Sequence, residues 1–142
     1  MRLAAGAVVL AGRILFSAFF ARSAFGHIRR RGQMVGYAGS AGFPLPYLAG
    51  WPSGAWLGFA SLSVALGIWP DLGALMLGAF VIPAALYFHR YWKVEDPGQR
   101  QMQAGNFYRN IALLGTSLAL FGLFTAAGHG LRFSITAPLF RL

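Results

Sequence analysis

The sequence has 142 residues, of which 57% are hydrophobic and 11% are charged, whereas an average soluble domain has roughly 25% charged residues. The net charge is +9, but the basic residues punctuate apolar runs instead of covering a polar face, which argues against a nucleic-acid partner. Cysteine is absent, which excludes disulfides, thiolate nucleophiles and Cys-ligated iron–sulfur clusters, so a redox role needs a bound cofactor or a partner.

Four apolar stretches are long enough to cross a bilayer as helices, since roughly 30 Å of hydrocarbon needs about 20 residues. They cover residues 3–25, 47–69, 72–92 and 107–127. We expect the first to stay in the membrane, because Arg13 interrupts it and no convincing signal-peptide cleavage site follows. The sequence therefore predicts one all-α domain over residues 1–142, an integral membrane four-helix bundle with a tail at 128–142.

The three connections between these spans differ in composition. Residues 27–45 are basic and then rich in Gly and Pro, which predicts a short helix or turn at the membrane interface. Pro70-Asp71 is so short that the second and third spans must be antiparallel neighbours, with Asp71 placed to cap the third span. Residues 93–106 are polar and predict an exposed turn before the fourth span.

The basic residues are distributed unevenly between the two sides. Eight lie in the first and third connections or at the adjoining helix ends, three lie on the opposite side, and Arg13 is left inside the first span. Lys and Arg are retained on the cytoplasmic side, so the count predicts that both termini face outward. The eight are Arg22, Arg29, Arg30, Arg31, Arg90, Lys93, Arg100 and Arg109, and the three are Arg2, Arg132 and Arg141.

Arg13 is the sharpest anomaly among the spans. A guanidinium inside a span must find an acceptor, and no acidic residue lies within any of the four spans. In one interpretation Arg13 reaches the outer headgroups or a buried backbone carbonyl. In the other, it binds an anionic or carbonyl-bearing ligand, or an acid from a partner subunit. The sequence leaves both interpretations open.

A second group of chemically active residues lies at the facing ends of the third and fourth spans. His89 and Trp92 close the third span, and Asn106, Arg109 and Asn110 open the fourth. A neutral imidazole beside an amide and aromatic rings can bind a quinone head group or pass protons. We therefore treat these five residues, with Arg13, as candidate ligand-binding residues. The alternative is interfacial anchoring, which the bilayer favours at helix ends in any case.

The sequence predicts no catalytic residue and no metal site. Ser17, Ser61 and Ser63 have no acid–base pair near them in sequence, and nucleophilic hydrolysis needs a nucleophile, a base and an orienting group within reach. The three histidines lie on separate segments without acidic companions, which makes a poor metal site, and His27 is expected to be structural. Enzyme activity stays open, but we do not expect the chain to be catalytic by itself.

Two segments carry a family resemblance. Phe88-His89-Arg90-Tyr91-Trp92, followed by an acidic and Gln-containing connection, leads to the opening Phe107-Tyr108-Arg109-Asn110 of the fourth span. With these residues, and with weaker matches such as Gly42-Phe43-Pro44, the chain resembles the DoxX family of bacterial four-helix membrane proteins along most of its length. The second span lacks the acidic residue that many members carry, which weakens a direct transfer of thiosulfate chemistry.

The resemblance implies a protein of the bacterial inner membrane, in which the charge count predicts that both termini lie in the periplasm. Members are similar to the small membrane subunit of thiosulfate:quinone oxidoreductase, and others are associated with membrane redox assemblies. Three functions follow as expectations. The chain is a non-catalytic accessory subunit of a larger respiratory or oxidoreductase complex, a quinone-binding redox subunit of the thiosulfate:quinone oxidoreductase type, or a small-solute carrier.

The carrier has the least support, because the spans lack the broken helices and paired charges typical of transport paths. No cofactor is firmly predicted, and the candidate ligand is a quinone or a bound lipid. The expected partners are the lipid bilayer and either other membrane subunits of a redox complex or further copies of the chain.

Overall fold

The computed structural model describes residues 1–140, and over these residues the protein is all-helical, with five α-helices and no strand. Arg141, which the charge count assigns to the outer side, lies outside the described residues. The helices are α1 (Leu3–Arg29), α2 (Arg31–Ser40), α3 (Trp51–Leu66), α4 (Pro70–Pro83) and α5 (Pro97–Ala127). Short helical turns lie at Pro46–Ala49, Ala84–Phe88, Tyr91–Lys93 and Gly128–Gly130.

Within residues 1–140, three helical segments are long and apolar enough to cross a membrane. They are Leu3–Arg29, Pro70–Lys93 and Pro97–Gly130. The remaining expected span contains α3, whose 16 residues rise only about 24 Å. The all-α class is confirmed, and three of the expected spans fall within these long apolar segments, whereas the complete four-helix transmembrane bundle stays a prediction. The helix α2 occupies the place where the sequence predicts a short helix or turn.

The third expected span is interrupted near its end. The α-helix α4 gives way after Pro83 to one π-helical turn, Ala84–Phe88, and the backbone leaves helical geometry at His89. Proline removes a backbone donor and crowds the preceding turn, which disfavours a regular α-helix at this point. The span therefore does not continue as one helix to residue 92.

The helix α5 begins ten residues before the predicted start of the fourth span. Pro97 occupies the first turn, and the side chain of Asp96 accepts a hydrogen bond from the N–H of Gln99 at 2.8 Å. Both features favour the start of a helix. The Gln-containing stretch is consequently helical, and the predicted turn is confined to the residues before Pro97.

The four longest helices form a row in which α1 packs against α3, α3 against α4 and α4 against α5. Small residues permit the closest approaches. A Cβ added to Gly73 would lie 2.5 Å from Ser63 Oγ, and one added to Gly54 would lie 3.1 Å from the carbonyl oxygen of Ala24. The α3–α4 hairpin predicted from the short connection is therefore tightly packed. The hydrophobic core of the helix row includes Phe16, Phe20, Leu57, Val64, Leu77, Val81 and Phe124.

The chain after α5 folds back onto the α3–α4 connection. The N–H groups of Ile135 and Thr136 donate to the carbonyl oxygens of Leu66 and Gly67, at 3.3 Å and 2.9 Å. In return, the N–H of Trp69 donates to Oγ1 of Thr136 at 2.7 Å. The tail therefore covers the end of the helix row that carries the hairpin.

Asp71 holds this tail instead of capping α4. Its carboxylate is buried, and Oδ2 accepts a hydrogen bond from the N–H of Phe140 at 2.6 Å. No side chain caps the N-terminus of α4. The capping prediction was therefore wrong, because Asp71 lies inside the first turn, where its side chain reaches the tail. Its negative charge still lies at the positive end of the α4 dipole.

Candidate functional site

A cavity of about 610 Å³ lies at the end of the helix row opposite the tail. All five helices contribute to its wall, and volumes of roughly 300–1,000 Å³ are typical of small-molecule sites. Most of the wall is apolar, and its aromatic side chains are Phe19, Phe20, Phe43, Trp56, Phe80 and Phe88. Its polar side chains are Ser23, His27, Tyr37, Ser53, His89, Asn106, Arg109 and Asn110.

The interruption of α4 shapes one side of this cavity. Pro83, Ala84 and Phe88 line the wall, and they lie at the point where the α-helix becomes a π-helical turn. Such turns often lie at functional sites. Because the backbone leaves the helix at His89, the imidazole lies beside α5 instead of continuing along the face of α4.

His89 is held by α5 through one ring nitrogen. Its Nδ1 lies 2.8 Å from Oε1 of Gln103, and the ring is half-buried. An amide oxygen accepts hydrogen bonds, so this contact requires a proton on Nδ1. The nitrogen left for a ligand is therefore Nε2.

His27 lies in the wall of the same cavity, on α1. Its Nδ1 is 2.6 Å from the carbonyl oxygen of Ala49 and 2.7 Å from Oγ of Ser53. A carbonyl oxygen only accepts, so Nδ1 carries the proton here as well. The sequence predicts a structural role for His27, and in the structure His27 also lines the cavity.

Three of the candidate residues lie together on α5. Asn106, Arg109 and Asn110 are spaced so that they share one helix face, and all three line the cavity with His89. The side-chain Nδ2 of Asn110 donates to the carbonyl oxygen of Asn106 at 2.9 Å, which orients its Oδ1 away from that bond. The structure therefore brings four of the six candidate residues to one place.

Trp92 lies outside the cavity wall. Its ring packs edge-on against Tyr91 and Phe107, with centroid distances of 5.2 Å and 5.5 Å. The side chain is 45% exposed. This arrangement is typical of an aromatic anchor at a membrane interface.

Arg13 lies far from the cavity, although its side chain is wholly buried. His27 lies fourteen positions after Arg13 along α1, which corresponds to about 21 Å of helix. Its guanidinium donates to the carbonyl oxygens of Val64 and Ala65 in α3, at 2.7 Å and 3.0 Å, and of Phe133 in the tail, at 3.0 Å. Backbone carbonyls are thus its acceptors, and the structure does not bring Arg13 together with His89.

Several residues of the cavity wall were missed by sequence reasoning. Besides His27, they include Tyr37 on α2, and Ser53 and Trp56 on α3. The Gly- and Pro-rich first connection was a signal for Tyr37, since it predicts a compact segment at the same interface as His89. Ser53 and Trp56 carry no signal, because their place depends on how α3 faces α1 and α4. Within residues 1–140, no three His, Asp or Glu residues are grouped closely enough to hold a metal ion.

A model of the DoxX family matches residues 8–90, which is more than half of the chain. The chain belongs to the DoxX family. No curated protein and no solved structure matches it. The family match covers α1 from residue 8 onward, α2 to α4 and both cavity histidines, His27 and His89, and ends before α5.

Family membership and the three long apolar helices together identify this DoxX protein as an integral membrane protein in contact with lipid. The match ends at residue 90, so the opening of the fourth span, where the sequence resemblance is most specific, lies beyond it. The family therefore supports the place in the membrane, and the cavity carries the argument about function.

Proposed function

We propose that this DoxX protein is a membrane subunit that binds a membrane-dissolved, quinone-type ligand in the cavity and serves a larger oxidoreductase complex without being catalytic by itself. The cavity carries the proposal, because it combines an aromatic wall with imidazole and amide groups. A quinone-type ligand has a polar ring that matches the imidazole and amide groups, and an apolar tail that matches the aromatic side chains.

The arrangement of the helices supports entry of such a ligand from the bilayer. α1 and α5 lie at the two ends of the helix row, and their backbones approach each other less than those of neighbouring helices, although Arg13 of α1 lies over the Phe124 ring of α5 far from the cavity. Both contribute to the cavity, α1 through Phe19 and Ser23 and α5 through Asn106 and Arg109. A molecule dissolved in lipid can therefore reach the cavity between α1 and α5 without crossing water.

The proposed accessory role is supported by the lack of catalytic groups in the sequence. Without cysteine it has no thiol chemistry of its own, and its serines have no adjacent acid–base pair. Electrons for a bound quinone would therefore come from a partner subunit or donor. A solute carrier is less well supported, because Phe16, Phe20 and Phe124 pack in the core between the cavity and Arg13.

We further propose four membrane crossings, made by α1, α3, the segment from α4 to Lys93, and α5, in a bacterial inner membrane. The turn Pro46–Ala49 precedes α3 and lengthens its apolar segment beyond the 16 helical residues. The charge count then places the connections that carry α2 and the start of α5 in the cytoplasm, and both termini in the periplasm.

The direct test is to extract the protein gently into lipid nanodiscs and to identify bound small molecules and subunits by mass spectrometry. We expect a quinone at close to one per chain and other membrane subunits in the native extract. In Ala79→Phe, which places a ring in the cavity wall, we expect the quinone to be lost. Ala119→Phe is the matched control, because Ala119 is exposed on α5 and does not line the cavity.

Two results would count against the proposal. Equal quinone content in Ala79→Phe and in the wild type would remove the cavity as the binding site. Recovery of the chain alone from native membranes, without any other subunit, would contradict the accessory role while leaving the ligand site intact.

A further inference from the structure

Both histidines of the cavity wall use their N–H group for a hydrogen bond within the protein. Nδ1 of His27 and Nδ1 of His89 each carry a proton that a protein oxygen accepts, Ala49 O at 2.6 Å and Gln103 Oε1 at 2.8 Å. In the neutral imidazole the other nitrogen is then an acceptor. Both histidines consequently offer a ligand the lone pair of Nε2, not an N–H group.

Two hydroxyl groups of the cavity show the same pattern. Tyr37 donates its proton to the carbonyl oxygen of Phe88 at 3.1 Å, and Ser53 donates to the carbonyl oxygen of Gly50 at 3.0 Å. Their oxygens retain lone pairs, but their protons are used within the protein. Apart from the hydroxyl of Ser23, the wall formed by α1, α2, α3 and the end of α4 therefore accepts hydrogen bonds more readily than it donates them.

On the α5 side, Asn110 uses one amide N–H for the carbonyl oxygen of Asn106. Its remaining amide N–H, the amide of Asn106 and the guanidinium of Arg109 are the donors of this wall, and Arg109 is exposed. Apart from Ser23, the donors thus lie on α5, whereas the two imidazoles lie on α1 and at the end of α4. A ligand placed between the two imidazoles meets acceptors.

We propose, resting on the quinone-type ligand proposed above, that the cavity prefers the reduced hydroquinone to the oxidised quinone. A hydroquinone carries two hydroxyl donors, which match Nε2 of His27 and Nε2 of His89. The oxidised ring carries two carbonyl oxygens, which are acceptors and leave both imidazole lone pairs without a partner. The inference concerns binding only, and it requires no electron transfer within this chain.

The test compares three ligands that share a ring and a decyl tail, namely a benzoquinone, its hydroquinone and the dimethyl ether of that hydroquinone. The ether keeps the shape of the ring and removes both donors. Binding to the purified protein in nanodiscs is measured anaerobically at pH 8 by quenching of tryptophan fluorescence, since Trp56 lies in the cavity wall. We expect the hydroquinone to bind about tenfold more tightly than either other ligand, the ratio of one ordinary hydrogen bond.

Two variants test whether the imidazoles cause the preference for the hydroquinone. In His27→Asn and His89→Asn the amide retains an N–H close to the position of Nδ1 and removes Nε2, so each variant should lose most of the preference for the hydroquinone. His129→Asn is the matched control, because His129 lies in the turn after α5 and outside the cavity. The readout is a ratio between ligands, which a general loss of folded protein does not change.

The outcomes separate the two proposals. If the hydroquinone and its dimethyl ether bind equally, or if the quinone binds more tightly, the preference is overturned while the quinone-type site stands. If none of the three ligands binds the wild type, the proposed function itself is overturned. An unchanged ratio in both cavity variants would show that the imidazoles are not the acceptors.

Discussion

Nε of Arg13 donates to the carbonyl oxygen of Val64 at 2.7 Å, within the last turn of α3. The last four carbonyls of a helix have no partner inside that helix, and they form the negative end of its dipole. A cation from α1 therefore caps α3, and these backbone carbonyls take the place of the acid that is missing from the spans. The same guanidinium reaches Phe133, so it also joins the tail to the helices.

Arg13→Ala should destabilise the protein strongly, because it leaves buried carbonyls of α3 and of the tail without their donor. Hydrogen bonds to charged groups contribute about 1.5–3 kcal/mol each, so the expected loss is about 3–5 kcal/mol. Urea unfolding in mild detergent, followed by circular dichroism, measures the free energy of unfolding. Arg22→Ala is the control on the same helix, because Arg22 is exposed. Equal stability of the two variants would contradict the capping role.

The contacts of Arg13 show which features of the structure could be predicted from the sequence and which could not. Its burial could be predicted from its place in an apolar span, but Phe133 lies in a tail without any periodic pattern, so that contact could not. His89 and Asn106 could be paired, since they flank one connection. His27 could not be placed with them, because its position in the cavity depends on how α1 packs against α3. Local sequence patterns predict which segments are helical and which residues lie at the membrane interface. Packing between segments that are distant in sequence determines which residues meet in the cavity.

Asp71→Ala should release the end of the tail. The variant removes the buried carboxylate that accepts from the N–H of Phe140, so the amides of residues 134–140 lose protection. Hydrogen exchange measured by mass spectrometry should become about tenfold faster or more in this segment, consistent with one charged hydrogen bond.

Asp96→Ala is the control for the hydrogen-exchange experiment on Asp71→Ala. Asp96 caps α5 through the N–H of Gln99, at the opposite end of the molecule from the tail. Loss of an N-cap costs about 1 kcal/mol, so exchange should rise in the first turn of α5 and stay unchanged in residues 134–140. Faster tail exchange in Asp96→Ala than in Asp71→Ala would refute the assignment of Asp71 to the tail.

Gly73 and Gly115 should respond oppositely to the same substitution. A Cβ on Gly73 would lie 2.5 Å from Ser63 Oγ and 2.9 Å from the carbonyl oxygen of Ala60, whereas a Cβ on Gly115 meets nothing within 4 Å. Gly73→Ala should therefore destabilise the α3–α4 hairpin by about 1–3 kcal/mol through overpacking. Gly115→Ala should be neutral or stabilising by up to about 1 kcal/mol, because alanine favours the helix. Thermal unfolding of both variants in one detergent compares them directly.

The proposed crossing by α3 predicts which side of the membrane each connection faces. The chain has no cysteine, so single cysteines can be introduced and labelled in intact cells with a maleimide that does not cross the inner membrane. Ser40 lies at the end of α2, before α3, and His129 lies beside the tail that pairs with the α3–α4 connection. Both residues are exposed.

We expect His129→Cys to be labelled in cells whose outer membrane is permeable to the reagent, and Ser40→Cys only after the inner membrane is opened. Gln101→Cys, in the first turns of α5, should behave like Ser40→Cys, because both lie on the side that carries the basic connections. Labelling of Ser40→Cys and His129→Cys from the same side would show that α3 does not cross. Labelling of both Ser40→Cys and Gln101→Cys from the outside, with His129→Cys protected, would instead invert the orientation and leave the number of crossings unchanged.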